Sequence, residues 1–139
     1  MTYSREDYPL AEKRAAEVKG KRGKALAELT LEAVAGGHVT IEDLRITPQA
    51  LHAQADVARS GGRPRLARNF ERAAELVDVP QDEIMAVYEL LRPGRVSNKQ
   101  QLLEAAHRMR GAFKAEKIAA FIEEAADVYE TRGLFKKRY

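Results

Sequence analysis

Proline and glycine punctuate the middle of this chain at Pro48, Gly61-Gly62, Pro64, Pro80 and Pro93-Gly94. Between these breaks the apolar residues recur at helical spacing, so the segment reads as three short helices and no strand. Thr47 is a good N-cap, and Pro48 sits at the first helical position, where its missing N–H costs nothing. That helix carries a thin stripe of Leu51, Ala55 and Ala58 and stops at Ser60-Gly61-Gly62. The next begins near Pro64 and places Leu66, Phe70, Ala73, Ala74 and Val77 on one face. Val79-Pro80-Gln81-Asp82 interrupts it, and Ile84, Val87, Tyr88 and Leu91 resume the period up to Pro93-Gly94. The stretch reads as a packing unit, with no reaction centre in it.

On either side the pattern differs. Residues 1–27 show no sustained period. Tyr8-Pro9-Leu10 reads as extended, because a residue before proline is pushed out of the α region. Ala11 to Val18 suits a short helix, and Gly20 and Gly23 break up the basic run Lys19, Lys21, Arg22, Lys24, which reads as a solvated, mobile segment or, less commonly, as an electrostatic contact. Thr30 can cap Leu31–Ala35, and Thr40 with Asp43 makes a capping box over Ile41–Leu44. Both are too short to be stable alone. Ser97 is the expected N-cap of a helix over 98–110, with Leu102, Leu103, Ala106 and Met109 inward and a break or kink at Gly111. The last helix, over about 112–131, has the strongest pattern: one stripe of Ala115, Ile118, Ala119, Ile122, Ala126 and Tyr129, and a second of Phe121, Ala125 and Val128. Gly133 caps it ahead of the basic end Lys136-Lys137-Arg138. The class is all-α: an irregular, partner-wrapping N-terminal segment over 1–45, then an open up-and-down helical bundle over 46–139.

The helices are rich in alanine, aromatics are 6% of the chain, and tryptophan is absent. Alanine lets helices approach closely, but each one buries little area, so the expected core is thin. Such a core suits a protein that completes its burial against a partner. No apolar run approaches the roughly 20 residues of a spanning helix, and 1–10 lacks a signal-peptide pattern. Without cysteine there are no disulfides or thiolate metal sites. The net charge of +3 is only mildly basic, less lopsided than a dedicated nucleic-acid binder.

Candidate chemistry is sparse. His38, His52 and His107 are far apart and share no metal-ligand spacing on one helix, so no metal site is expected. Gly36-Gly37 and Gly61-Gly62 join helices and do not follow strands, unlike phosphate-cradling loops. Glu123-Glu124 belongs to a solvated helix face. No catalytic and no cofactor-binding residue is expected on this chain. The sharpest charged feature is Arg63, Arg65, Arg68 and Arg72 with Asn69, Glu71 and Glu75 interleaved. It reads as a docking face for acids or phosphates, or as a solvated face with pairs such as Arg68–Glu71 and Arg72–Glu75, the commoner case on helices.

Several phrases together carry a family likeness. Tyr8-Pro9-Leu10, Arg45-Ile46-Thr47-Pro48, the run from Arg65-Leu66-Ala67-Arg68-Asn69-Phe70 to Glu71-Arg72-Ala73-Ala74-Glu75-Leu76, Val79-Pro80, Leu91-Arg92-Pro93, and Lys117-Ile118-Ala119-Ala120-Phe121 with Glu124-Ala125-Ala126 resemble the small (gamma) subunit of diol and glycerol dehydratases. The likeness runs in order over about 7–129. It implies an adenosylcobalamin-dependent hydro-lyase of large, medium and small subunits, paired as a dimer of heterotrimers. That enzyme converts 1,2-propanediol, glycerol or 1,2-ethanediol to an aldehyde and water by radical chemistry. The resemblance places the substrate in the large subunit, the cobalamin between large and medium subunits, and no catalytic residue on the small one. Some of these small subunits have a longer N-terminal extension associated with microcompartment packaging. This chain begins just before Asp7-Tyr8-Pro9-Leu10, so a free cytoplasmic enzyme is the expectation.

From residue type, Tyr8, Pro9, Leu10, Arg45, Arg68, Phe70 and Arg72 are the expected contacts with the large subunit, since aromatics and arginines dominate interface anchors; the spacing of Phe70 also fits the internal core. A small basic helical nucleic-acid-binding protein is the alternative, resting on the pI of 9.2, the helix pair linked at Gly61-Gly62 and the arginine stripe.

Overall fold

A computed structural model of the chain describes residues 2–136; Lys137 and Arg138 of the basic end lie outside them. The fold is all-α. The helices are α1 (Leu10–Lys13), α2 (Leu31–Ala35), α3 (Ile41–Leu44), α4 (Pro48–Ser60), α5 (Pro64–Leu76), α6 (Gln81–Leu91), α7 (Lys99–Phe113) and α8 (Glu116–Thr131). Single 3-10 turns occur at Arg5–Asp7, Ala15–Glu17 and Leu26–Glu28. Among the described residues there is no strand, only an isolated bridge between Lys19 and Ala25. The chain divides between Val77 and Asp78 into two compact units.

In the N-terminal unit the α4–α5 hairpin is the packing centre. Thr47 caps α4 by accepting from the Ala50 N–H at 3.1 Å. Gly62, with φ 75°, makes the turn into α5 in a conformation that a side chain would strain. The seam is made of Ala55, Ala58 and Ala67, with Phe70 lapped over it. Alanine on both helices allows close backbone approach, so the larger residues are displaced to the edges. Leu66, placed on the inner stripe from its spacing, is instead exposed at 38%, and Ala67 at 0% takes the buried position.

The segment before α4 is irregular, and it is held down. The N–H of Tyr3 donates to Asp56 of α4 at 3.3 Å, and that of Arg5 to the Ser60 hydroxyl at 3.2 Å. Ser4 and Asp7 form a capping box, and Asp7 also accepts from Arg14 at 2.7 Å. Tyr8 and Pro9 are extended, whereas Leu10 opens α1 and is buried.

The basic run makes an electrostatic contact, the less common of its two expected readings. The Arg22 guanidinium donates through Nε to Asp43 Oδ1 at 2.8 Å, through Nη2 to Asp43 Oδ2, and also to the His38 carbonyl at 3.1 Å. Asp43 accepts in addition from the Thr40 N–H at 3.0 Å, completing the expected capping box. Gly20 lies against the same turn: a Cβ there would stand 2.7 Å from the Asp43 carbonyl oxygen, so only glycine fits. The bidentate pair closes the N-terminal loop onto α3.

In the C-terminal unit α7 and α8 form an antiparallel pair. Lys99 at the start of α7 reaches Asp127 at 2.7 Å and Glu130 at 3.2 Å near the end of α8. Arg110, near the end of α7, reaches Glu116 and Glu123. Between them Leu102, Ala106 and Met109 of α7 and Ile118, Ala119, Ile122 and Ala126 of α8 are buried. The α6 helix joins this pair through Glu83, which accepts from Arg108 Nε at 2.8 Å, and through the Leu91 carbonyl, which accepts from the Tyr129 hydroxyl.

Three boundaries depart from expectation. Asn98, not Ser97, caps α7: its side chain accepts from the Gln101 N–H at 3.1 Å. The helix continues through Gly111, where no Cβ clash forces a kink, and ends at Lys114 in the left-handed region with φ 57°. The last helix accordingly begins at Glu116 and not near residue 112. It closes as expected at Gly133, with the N–H groups of Gly133 and Leu134 donating to Glu130 and Tyr129.

Candidate functional site

Most arginines are paired within the chain. Arg14, Arg22, Arg45, Arg59, Arg92, Arg95, Arg108 and Arg110 each contact a carboxylate. Among the described residues Arg5, Arg63, Arg65 and Arg68 form no ion pair. Three of these lie at the start of α5, which has no acidic residue in its first turn. Cations at a helix N-terminus oppose the macrodipole, so the isolated chain gains nothing from this clustering. Within the stripe, Glu71 reaches across to Arg59 of α4, and Arg72 donates to Asn69.

Arg5 and Arg63 border a half-open groove of about 580 Å³ between the N-terminal arm and the hairpin, whose walls include Tyr8, Val57, Leu66 and Phe70. Tyr8 is 56% exposed beside it. The structure therefore brings Tyr8 and Phe70 to one groove, although they are far apart in sequence.

The other proposed contacts scatter. Arg68 is exposed on α5, Arg72 is half-buried, Pro9 is half-buried beside Tyr8, and Arg45 is exposed and paired with Glu42 at 3.2 Å. Leu10 is buried in its own unit, with only 7% of its surface exposed.

The largest apolar exposure was not singled out from the sequence. Leu31 is 80% exposed and Ile41 67%, and Val34, Leu44 and Ile46 are also exposed. The signal was present: two capped helices of about one turn each cannot bury their i, i+3 apolar pairs unaided. In the C-terminal unit Met85, Tyr88, Phe121 and Val128 are exposed. The second stripe of α8 is thus left outside the core that its first stripe forms.

The ionisable groups describe scaffolding. The Arg22 guanidinium, aided by the Thr40 N–H, holds the Asp43 carboxyl down to about 2, against the desolvation that would raise it. Arg108 lowers the Glu83 carboxyl, and Arg110 lowers that of Glu123. For Asp43 the ordinary value is 3.8, so its contribution to stability is complete above the usual carboxyl range and lost as pH falls from there toward 2. Thermal unfolding of the wild type and Asp43→Asn should therefore differ most at neutral pH, with the wild type higher. The gap should close on acidification through pH 4 to 2; a pH-independent gap would show that the pair is not formed.

His38, His52 and His107 are all exposed. Among the described residues no three metal-ligating side chains gather, and no buried side-chain polar atom lacks a partner. Among the described residues no helix is long and apolar enough to cross a membrane.

A dehydratase small-subunit family model matches residues 3–136, nearly the whole chain. The chain belongs to the dehydratase small-subunit family. It is 48% identical to the propanediol dehydratase small subunit of Salmonella typhimurium over 130 residues, which cover 94% of this chain and 75% of that one. The propanediol dehydratase small subunit of Citrobacter freundii is 47% identical over the same shares. As a small subunit the chain has other dehydratase subunits as partners, and the nucleic-acid alternative gains no support.

Proposed function

We propose that this chain is the small subunit of an adenosylcobalamin-dependent propanediol or glycerol dehydratase, a cytoplasmic lyase that converts a 1,2-diol to an aldehyde and water. The observation that carries the reading is the 48% identity to a propanediol dehydratase small subunit over 94% of the chain. The partners are a large and a medium subunit, in a dimer of heterotrimers.

The work of this chain in the enzyme is mechanical. Leu31 and Val34 on α2, Ile41 and Leu44 on α3, and Ile46 just after it are exposed apolar side chains, and in this reading the large subunit covers them as one apolar ridge. Burial of such side chains stabilises association by roughly 1.5–3 kcal/mol each at full coverage, before the cost of immobilising the partners. The Arg22–Asp43 clamp and the capping boxes hold the ridge in place beforehand, which reduces the ordering cost at assembly.

The chain's own residues do not fit the cobalamin. Its groove has no imidazole in its walls, and no buried polar atom there awaits a ligand. In this reading the cofactor and the radical chemistry belong to the other subunits, and no catalytic role is proposed for this chain.

Co-expression with the large and medium subunits tests this. The three chains should elute together, and the complex should form aldehyde from diol when loaded with cobalamin. A large subunit that elutes without this chain, with undiminished activity and thermal stability, would overturn the proposal.

A further inference from the structure

We infer that the groove between the N-terminal arm and the α4–α5 hairpin receives an acidic, apolar-flanked segment of the large subunit, with Arg5 and Arg63 pairing its carboxylates; this rests on the assembly role proposed above. The groove joins two chemistries. Its walls of Val57, Leu66 and Phe70 suit an apolar side chain, and Arg5, Arg63 and the exposed Tyr8 supply donors at the edge.

Charge complementarity favours this occupant. Arg5 and Arg63 form no ion pair among the described residues, in a chain whose other arginines mostly have one. Arg63 occupies the N-cap position of α5 and no acid precedes or opens that helix to offset it. A carboxylate seated there meets two guanidiniums and the positive end of the helix dipole together. Arg65 and Arg68 extend the same positive field along α5 and would steer the acidic segment to the groove. An uncharged apolar segment would leave all four guanidiniums unanswered.

The test uses the whole complex. Affinity of the chain for the large–medium subcomplex is measured for the wild type, Arg5→Glu/Arg63→Glu and Leu66→Glu. The charge reversal should weaken binding about tenfold or more and flatten its salt dependence, and Leu66→Glu should weaken it without flattening. Neither should lower thermal unfolding of the isolated chain by more than a few degrees, since these side chains are at least one-third exposed, and the charge reversal should if anything raise it, because Glu at position 63 suits the helix dipole that arginine opposes. A photo-crosslinker at position 8, in place of Tyr8, should capture a large-subunit peptide that contains Asp or Glu next to an apolar residue.

Wild-type-like binding by both variants, or crosslinks confined to the medium subunit or to a peptide without acids, would overturn the groove assignment while leaving the assembly role intact. Retention on nucleic acid that the charge reversal abolishes, with assembly unaffected, would overturn it as well. A wild-type chain that binds no subcomplex would remove both readings at once.

Discussion

Ile122→Ala is expected to lower the stability of the C-terminal unit by about 2–5 kcal/mol, toward the upper end of that range. Ile122 is fully buried on α8, and its stripe neighbours Ala119 and Ala126 are fully buried too. Across the seam lie Leu102, Ala106 and Met109 of α7. Truncation opens a cavity that the surrounding alanines are too short to fill. The helices have little freedom to collapse, because Lys99 and Arg110 pin them at both ends by ion pairs with α8. Denaturant unfolding of the isolated chain measures the loss. Val128→Ala on the same helix, at 41% exposure, is the control and should change stability by less than about 1 kcal/mol. An Ile122→Ala loss as small as that of the control would mean that the α7–α8 seam closes only within the assembled enzyme.

The second large effect is on association. If the proposed interface is correct, Leu31→Asp with Ile41→Asp is expected to weaken binding to the partner subunits at least a hundredfold while leaving the fold of the isolated chain intact. Both side chains are more than half exposed, so the chain itself loses little. At a covered ridge each carboxylate would be desolvated without a partner, and a well-packed interface anchor is commonly worth about 2 kcal/mol or more. Two such positions give the stated factor, since 1.4 kcal/mol is about tenfold. Co-elution and circular dichroism check the two halves of the expectation. Unaltered assembly would place the interface elsewhere on the molecule, with the groove and the second stripe of α8 as the remaining surfaces.

Much of the helical framework was legible in the sequence because it rests on local chemistry. Thr30, Thr40 and Thr47 start helices where a side-chain oxygen or a capping box satisfies free N–H groups, and all three were read from spacing alone. The misreadings arose where two local solutions compete or where a distant residue decides. Ser97 and Asn98 are both competent caps, and the choice depends on which side chain reaches Gln101. Gly111 looks like a breaker, yet α7 passes through it and stops at Lys114. Spacing placed Leu66 inside, but a seam of alanines leaves the large side chain at the rim.

The docking surface was the least legible part. Amphipathic spacing shows which side of a helix is apolar; it does not show whether the same chain covers that side. The basic run near Arg22 was unreadable for a similar reason: its partner, Asp43, lies on another element, and nothing local to either residue announces the pair. Residue type alone points to Tyr8 and Phe70, which share a groove, and equally to Leu10, which is internal.

The outward-turned side chains from Leu31 to Ile46 also bear on how much of this polypeptide a cell can hold. Copies made in excess of their partner subunits would display sticky patches to one another and collect into aggregates. Production in step with those subunits would shelter each new copy soon after synthesis.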